Sequence, residues 1–439
     1  MNSTAMSHSI SKRNAVFGLM SFLLPSILLF LSYPLMLNGL GDDGFGIYML
    51  AMGVPSLVSI VDMGLFATTT RFIAEDISNE NLDDASEVWS SSILFYFLLS
   101  LIGAATIYLL APWVTSVMNV SSSLREGSIG AFRLAALMLP FILVTNAFIA
   151  AFKGFSRFDF VMVALIAQAF LLYLLPALGV FFYGINIIEA MRVTLISSSI
   201  LFMLLVYLSL VIRRRTGVFW FCIFSPMVIY RRMFTYGVMI TLSGVMGAAV
   251  AQLSRYLVGW LFGPAAAGQY SLVYTLSSKI QALVNSATEF IFPLASTISD
   301  LNKIKSIYTQ MRLGGGVLAF ICLVPLVFFA DDILSLWLRR TVDGSVGTLL
   351  SLFCIAAFFS SMITMPHHLL NGFGYPLWNV VLLFSHLIVL CISVFVLLSI
   401  FQLGLMSFGY AFILSNFYLA VVYQVASLKV FSLNVRGTN

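Results

Sequence analysis

Apolar residues in this chain come in long unbroken runs separated by short polar stretches, and the runs repeatedly reach the roughly 20 residues a helix needs to cross a bilayer. The alternation over roughly ten residues that marks a membrane β-strand is absent. The pattern predicts twelve helical spans: 15–37, 46–70, 88–110, 131–151, 160–182, 191–212, 233–262, 268–293, 313–330, 346–368, 377–400 and 405–428. The first run is longer than the apolar core of a signal peptide and is read as a span. Residues 216–230 are apolar but short, contain Pro226, and lie between Arg213–Arg215 and Arg231–Arg232, so a linker at the membrane interface is expected there.

Lysine and arginine placement tests this count. With twelve spans and a cytoplasmic N-terminus, Lys12, Arg13, Arg71, Lys153, Arg157, Arg213, Arg214, Arg215, Arg231, Arg232, Lys303, Lys305, Arg312, Lys429 and Arg436 fall on the cytoplasmic side, against Arg125, Arg339 and Arg340 opposite. Cytoplasmic loops carry the basic excess, so both termini are expected in the cytoplasm. Trp89, Trp113, Trp260 and Trp378 fall near expected span ends, as an interfacial aromatic belt would have them.

The two halves repeat. At an offset of 222 residues, Gly41, Gly46 and Tyr48 correspond to Gly263, Gly268 and Tyr270, and Leu31, Ser32 and Leu35 to Leu253, Ser254 and Leu257. At an offset of 218, KGF at 153–155 corresponds to NGF at 371–373. Six spans per half is an even number, so both halves enter the membrane in the same sense, related by an axis along the membrane normal. The expected architecture is an all-α polytopic membrane protein of about twelve transmembrane helices in two parallel six-helix halves around a central cavity. The expected division is residues 1–212 and 233–439 as the two lobes and 213–232 as the linker. Such a two-lobed arrangement suits a transporter working by alternating access.

Composition agrees. The chain has 439 residues, 61% hydrophobic and only 9% charged, with mean hydropathy +1.03. Soluble domains carry about 25% charged residues, so a soluble enzyme, a nucleic-acid binder and a disordered scaffold are excluded. The net charge of +5 reflects basic residues that orient helices against an anionic leaflet. Cys222, Cys322, Cys354 and Cys391 lie in apolar runs without metal-ligand spacing and are read as buried thiols. No phosphate-binding glycine loop occurs, and no nucleotide, metal or prosthetic group is expected.

Ionisable residues inside spans are costly and therefore candidate functional groups. Asp62 lies in span 2, Arg255 in span 7, and Lys279 and Glu289 in span 8. Helical phase puts Ser278, Gln281, Asn285 and Glu289 on one stripe of span 8, Thr241, Gly244, Ala248, Gln252 and Arg255 on one of span 7, and Ser59, Asp62, Thr69 and Thr70 on one of span 2. Three polar stripes point to a shared aqueous cavity, with Arg255, Lys279, Gln252, Gln281 and Asn285 as substrate-binding candidates. For Asp62 and Glu289 two readings stand, ion coupling or internal pairing with the bases. Pro25 and Pro34 remove backbone donors and should kink or loosen span 1. His386 is read as a packing histidine, and His367 and His368 as solvated at a loop.

The stretch LNGLGDDGFGIYMLAMGVPSLVSIVDMGLFATTTRFIAE, with Asp62 and Gly64 ahead of TRFIA, resembles the first hairpin of polysaccharide exporters of the multidrug/oligosaccharidyl-lipid/polysaccharide superfamily. FGPAAAGQYSLVYTL ending in FPLAS at 292–296, KGFSRFDF and LNGFGYPLWN extend the resemblance over almost the whole chain. The twelve-span form with short loops resembles O-antigen flippases of the Wzx type. That resemblance implies movement of undecaprenyl-pyrophosphate-linked oligosaccharide from the cytoplasmic to the periplasmic leaflet of a bacterial inner membrane. It also implies a cationic cavity lined by helices 1, 2, 7 and 8, a role that would fall to Arg255 and Lys279. The implied partners are the lipid-linked oligosaccharide, membrane lipids and other polysaccharide-assembly proteins, with no nucleic acid. Asp62 and Glu289 depart from a purely cationic cavity. The alternative is a cation-coupled multidrug and toxin extrusion antiporter of the same superfamily. An enzyme is not expected, since the outer segments near 111–130 and 331–345 are too short for the catalytic loop of a polymerase or ligase.

Overall fold

The computed structural model describes residues 3–58, 63–218, 247, 249, 250, 252–286, 301–373 and 375–436. Every regular element among them is a helix. In chain order these are α1 (Ser3–Val58), α2 (Met63–Ser78), α3 (Leu82–Val117), α4 (Arg125–Gly154) and α5 (Phe158–Tyr183). They continue as α6 (Ile187–Thr216), α7 (252–262), α8 (Pro264–Ser286), α9 (Leu301–Phe328), α10 (Ala330–Leu338), α11 (Gly344–Gly372), α12 (Pro376–Ser399) and α13 (Met406–Arg436). Nine described helices are long and apolar enough to cross a membrane. One of them, Met20–Val58, holds the first expected span and much of the second. Most of the 216–230 linker, the start of the seventh span and the end of the eighth lie outside the described residues.

Cys391, expected as a buried thiol, is exposed, and four details of the helices also differ from expectation. The helical dihedrals of α1 persist through Pro25 and Pro34, and the break comes at Gly41 (φ 72°, ψ 177°). Each proline removes one ladder donor, whereas only glycine reaches that left-handed, extended geometry without strain. Helix α3 begins at Leu82 rather than near 88, with Asp83 and Asp84 in its first turn, where carboxylates favour the positive end of the helix dipole. The segment expected as an outer loop at 331–345 contains α10, whose first turn holds Asp331 and Asp332. Finally, Trp89 is no belt residue. It is fully buried, edge-on to Phe148 and Phe152 at 5.9 and 6.4 Å, because α3 and α4 extend past the expected span ends and pack there.

The chain divides into two compact units, Met1–Gly268 and Gln269–Asn439. In the first, α4 is the central helix: 67% of its most apolar window is buried, against 11% in α3. Its inner surface is rich in alanine, with Ala131, Ala135, Ala136, Ala147, Ala150 and Ala151 all inaccessible. In a bilayer, outer faces need no polar coat, so the most enclosed helix is the one whose small side chains let neighbours approach. The second unit is built likewise around α11, 61% buried over its window, against 17% for α9 and α12.

The sequence repeat is visible in backbone geometry. Gly41 and Gly263 both have positive φ, 72° and 87°. Gly154 and Gly372 end α4 and α11, followed by Phe155 (φ −73°, ψ 2°) and Phe373 (φ −84°, ψ 2°) in nearly the same conformation. Tyr48 and Tyr270 are both buried.

Candidate functional site

In the first unit, α7 brings three polar side-chain ends onto one glycine of α1. A Cβ built on Gly53 would lie 3.1 Å from the Tyr256 hydroxyl, 3.3 Å from a terminal nitrogen of Arg255 and 3.6 Å from Oε1 of Gln252. Glycine at 53 therefore makes the recess these groups occupy. The Tyr256 hydroxyl donates to the Leu50 carbonyl at 2.8 Å, which ties α7 to α1. Arg255 is 9% exposed, and neither its Nε nor Oε1 of Gln252 has a hydrogen-bond partner among the described residues. Buried polar atoms are ordinarily satisfied, so these two make the recess a candidate site.

Tyr173 of α5, like Tyr256, lies near Arg255. Tyr173 lies in a single π-helical turn, Phe170–Leu174, inserted in α5. Such turns concentrate at functional sites, and this one has a local cause. Pro176 has no N–H for the Leu172 carbonyl four residues earlier, and that carbonyl instead accepts from the Tyr48 hydroxyl at 3.3 Å. The recess thus combines a buried guanidinium, an amide and phenols in apolar surroundings, a donor-rich arrangement suited to an anionic or heavily hydroxylated ligand.

Lys279 and Gln281 belong to the second unit. Gln281 donates to the Ser360 hydroxyl of α11 at 2.5 Å, and Ser278 donates to the Thr275 carbonyl. Lys279 is half-buried on α8. The side chain of Asn285, with Asp62 and Glu289, lies outside the described residues. On the span-2 stripe, Thr69 is buried in a 2.7 Å hydrogen bond with Ser92, and Thr70 donates to the Phe66 and Ala150 carbonyls. Both hydroxyls join helices, because α2 is covered on that face by α3 and α4. His367 is likewise not solvated. Its Nδ1 lies 3.2 Å from the Tyr423 hydroxyl and its Nε2 3.3 Å from Nδ2 of Asn371, while Asn379 donates to Asn371 and to the His367 carbonyl. That network links α11, α12 and α13 at the turn repeating the one after α4. Among the described residues, no three His, Cys, Asp or Glu side chains are grouped to hold a metal ion.

Sequence reasoning singled out Arg255 and Gln252 but passed over Tyr173, Tyr256, Gly53 and Pro176. The available signal was Pro176 within a span, which by itself orphans a carbonyl.

The architecture is that of a polytopic helical membrane protein. It is similar to solved structures of a multidrug-resistance MATE transporter of the MOP superfamily, inward-facing (TM-score 0.78, 17% identity, 96% of this chain and 99% of that one) and outward-facing (0.68, 18%, 97% and 96%). It also resembles a MOP-superfamily transporter from Pyrococcus furiosus (TM-score 0.64, 15% identity, 97% and 96%). At these identities the likeness is one of fold. A Shigella flexneri protein named for O-antigen transport is 22% identical over 365 residues, 82% of this chain and 85% of that one. The polysaccharide biosynthesis protein family matches residues 11–299, and the chain belongs to that family.

Proposed function

We propose that this protein is a flippase for an undecaprenyl-pyrophosphate-linked oligosaccharide of O-antigen type. It carries the unit from the cytoplasmic to the periplasmic leaflet of a bacterial inner membrane by alternating access, with both termini cytoplasmic. The lobes in this reading are 1–212 and 233–439, joined by 213–232, and the protein acts as a transporter rather than an enzyme. The observation that carries it is the buried, incompletely bonded Arg255 beside Gln252 in the Gly53 recess. A guanidinium in low dielectric is expensive unless an anion completes its bonding, and pyrophosphate oxygens would do so through charge-assisted hydrogen bonds. Sugar hydroxyls would meet Gln252 and the phenols. Lys279, Gln281 and Asn285 are proposed as further substrate-binding residues, and Asp62 and Glu289 to serve in ion coupling or in pairing with the bases.

The second reading, a cation-coupled multidrug antiporter, is favoured by the fold shared with MATE transporters. A deletion strain complemented with wild type, Arg255→Ala, Lys279→Ala and Gly53→Leu separates the two. The flippase reading expects well-expressed variants to leave lipid-linked oligosaccharide in the inner membrane and to lose surface polymer. Normal surface polymer with altered drug or cation tolerance would overturn it in favour of the antiporter.

A further inference from the structure

The second unit carries a cavity distant in sequence from the residues discussed so far. It has a volume of about 670 Å³ and is lined by α9, α11 and α13, within the roughly 300–1,000 Å³ usual for ligand sites. Its walls are aromatic and aliphatic: Phe320 from α9, Phe358 and Phe359 from α11, and Phe417 and Val421 from α13. Several of these also face outward, Phe320 at 56% and Phe417 at 52% exposure, so the cavity is a groove open along its side to whatever surrounds the helix bundle. In a bilayer that medium is lipid. At one end stands Arg312, which donates to Oε1 of Gln424, an oxygen that lies 3.5 Å from the Tyr308 hydroxyl. Among the described residues, none that lines the groove is acidic.

Length and charge identify the occupant. From Arg312 to Phe320 is two helical turns of α9, roughly 12 Å at 1.5 Å per residue, enough for a substantial part of one extended acyl chain. Gly316 keeps the floor open, since a Cβ there would come within 2.7 Å of the Met362 methyl across from it. One guanidinium has five N–H donors, and two neutral partners, Gln424 and the Tyr308 phenol, leave donors for an anion. Arginine is suited to phosphate by its planar fork, and basic groups between transmembrane helices at the membrane surface collect anionic headgroups. Phospholipid is the solvent of this surface, present at effectively saturating concentration, so an open apolar groove is filled by it. The arginine then selects among headgroups.

We propose that the groove between α9, α11 and α13 is a binding site for an anionic phospholipid, with one acyl chain against Phe320, Phe358 and Phe417 and the headgroup phosphate on Arg312. The site is independent of the transport recess argued above.

Native mass spectrometry of the full chain in detergent, with phosphatidylglycerol, phosphatidylcholine or undecaprenyl phosphate added singly and in competition, tests this. Wild type should retain one phosphatidylglycerol under activation that strips phosphatidylcholine. Arg312→Gln should weaken phosphatidylglycerol roughly tenfold, to the phosphatidylcholine level, while Arg312→Lys keeps the preference, as loss of one charge-assisted contact requires. Ala420→Phe, which fills the groove, should lower retention of both lipids. Equal retention of the two phospholipids by wild type would overturn the proposal, as would an Ala420→Phe variant that binds normally. Displacement of phosphatidylglycerol by equimolar undecaprenyl phosphate, dependent on Arg312, would assign the groove to a polyprenyl chain instead. Should Arg312→Gln not fold, the Ala420→Phe and wild-type comparisons decide.

Discussion

The backbone of Gly46 lies directly against that of Gly268: a Cβ built on Gly268 would sit 3.0 Å from the Gly46 Cα, and one built on Gly46 would overlap the Pro264 carbonyl. These are the residues that the repeat places in correspondence. Contact this close excludes any side chain, and small residues at such crossings are how membrane helices gain van der Waals packing where no hydrophobic drive exists between them.

Gly46→Ala is therefore expected to destabilise the protein by about 1–3 kcal/mol, since the obstruction is backbone and cannot rotate away. Gly18→Ala is the control, because a Cβ at Gly18 meets nothing within 4 Å. Thermal melting in detergent, read by size-exclusion fluorescence, should show a lower transition for the first variant alone. Equal transitions would mean that the helices separate at little cost.

The Tyr48–Leu172 hydrogen bond is expected to depend on Pro176. Tyr48→Phe should cost about 1 kcal/mol in the wild-type background, the usual value of a buried hydrogen bond. In a Pro176→Ala background the helix regains the N–H that serves Leu172, and the same substitution should cost less, since only the Tyr48 contact with Thr194 is then lost. A double-mutant cycle of unfolding free energies measures the difference. Additive effects would show that the π turn has another cause.

Arg255→Met is expected to abolish transport without lowering stability, and to raise it by about 1 kcal/mol. Methionine matches the arginine stem in length and removes a buried, incompletely bonded charge, the trade expected where a site is built for a ligand rather than for the fold. A falling melting temperature would instead make Arg255 a structural residue.

Trp89→Ala should be among the most damaging single changes in the first unit, costing about 3–5 kcal/mol through the cavity it leaves between α3 and α4. Trp89→Phe should cost far less, because the Nε1 donor has no partner among the described residues to lose. Denaturant titration of the two variants gives the comparison, and equal losses would contradict the packing role.

Helix positions were legible because each reflects a one-dimensional property, an apolar run of bilayer length ended by charge. Expected span ends at 131–151 and 346–368 fall inside α4 and α11, and the KGF/NGF echo marks two turns of the same geometry. The site was legible only in part. Arg255 stood out because charge in a span is costly, whereas Tyr173, Tyr256 and Gly53 carry no such signal, since aromatic residues and glycine are ordinary in membrane helices. Thr69 and Thr70 misled for the converse reason, since helical phase fixes which residues share a face but not whether another helix covers it, and His367 misled because α11 runs on to Gly372 past the expected loop.

The amino-acid sequence alone therefore determined the all-helical membrane class, the near-repeat of the two halves and the presence of a buried cation, because solvation energy acts residue by residue. Only the tertiary structure decided which polar groups stay unsatisfied, that an orphaned carbonyl at Leu172 is met by Tyr48, and that Trp89 is core rather than belt. Those outcomes depend on which side chains distant in sequence arrive within a few ångströms of one another.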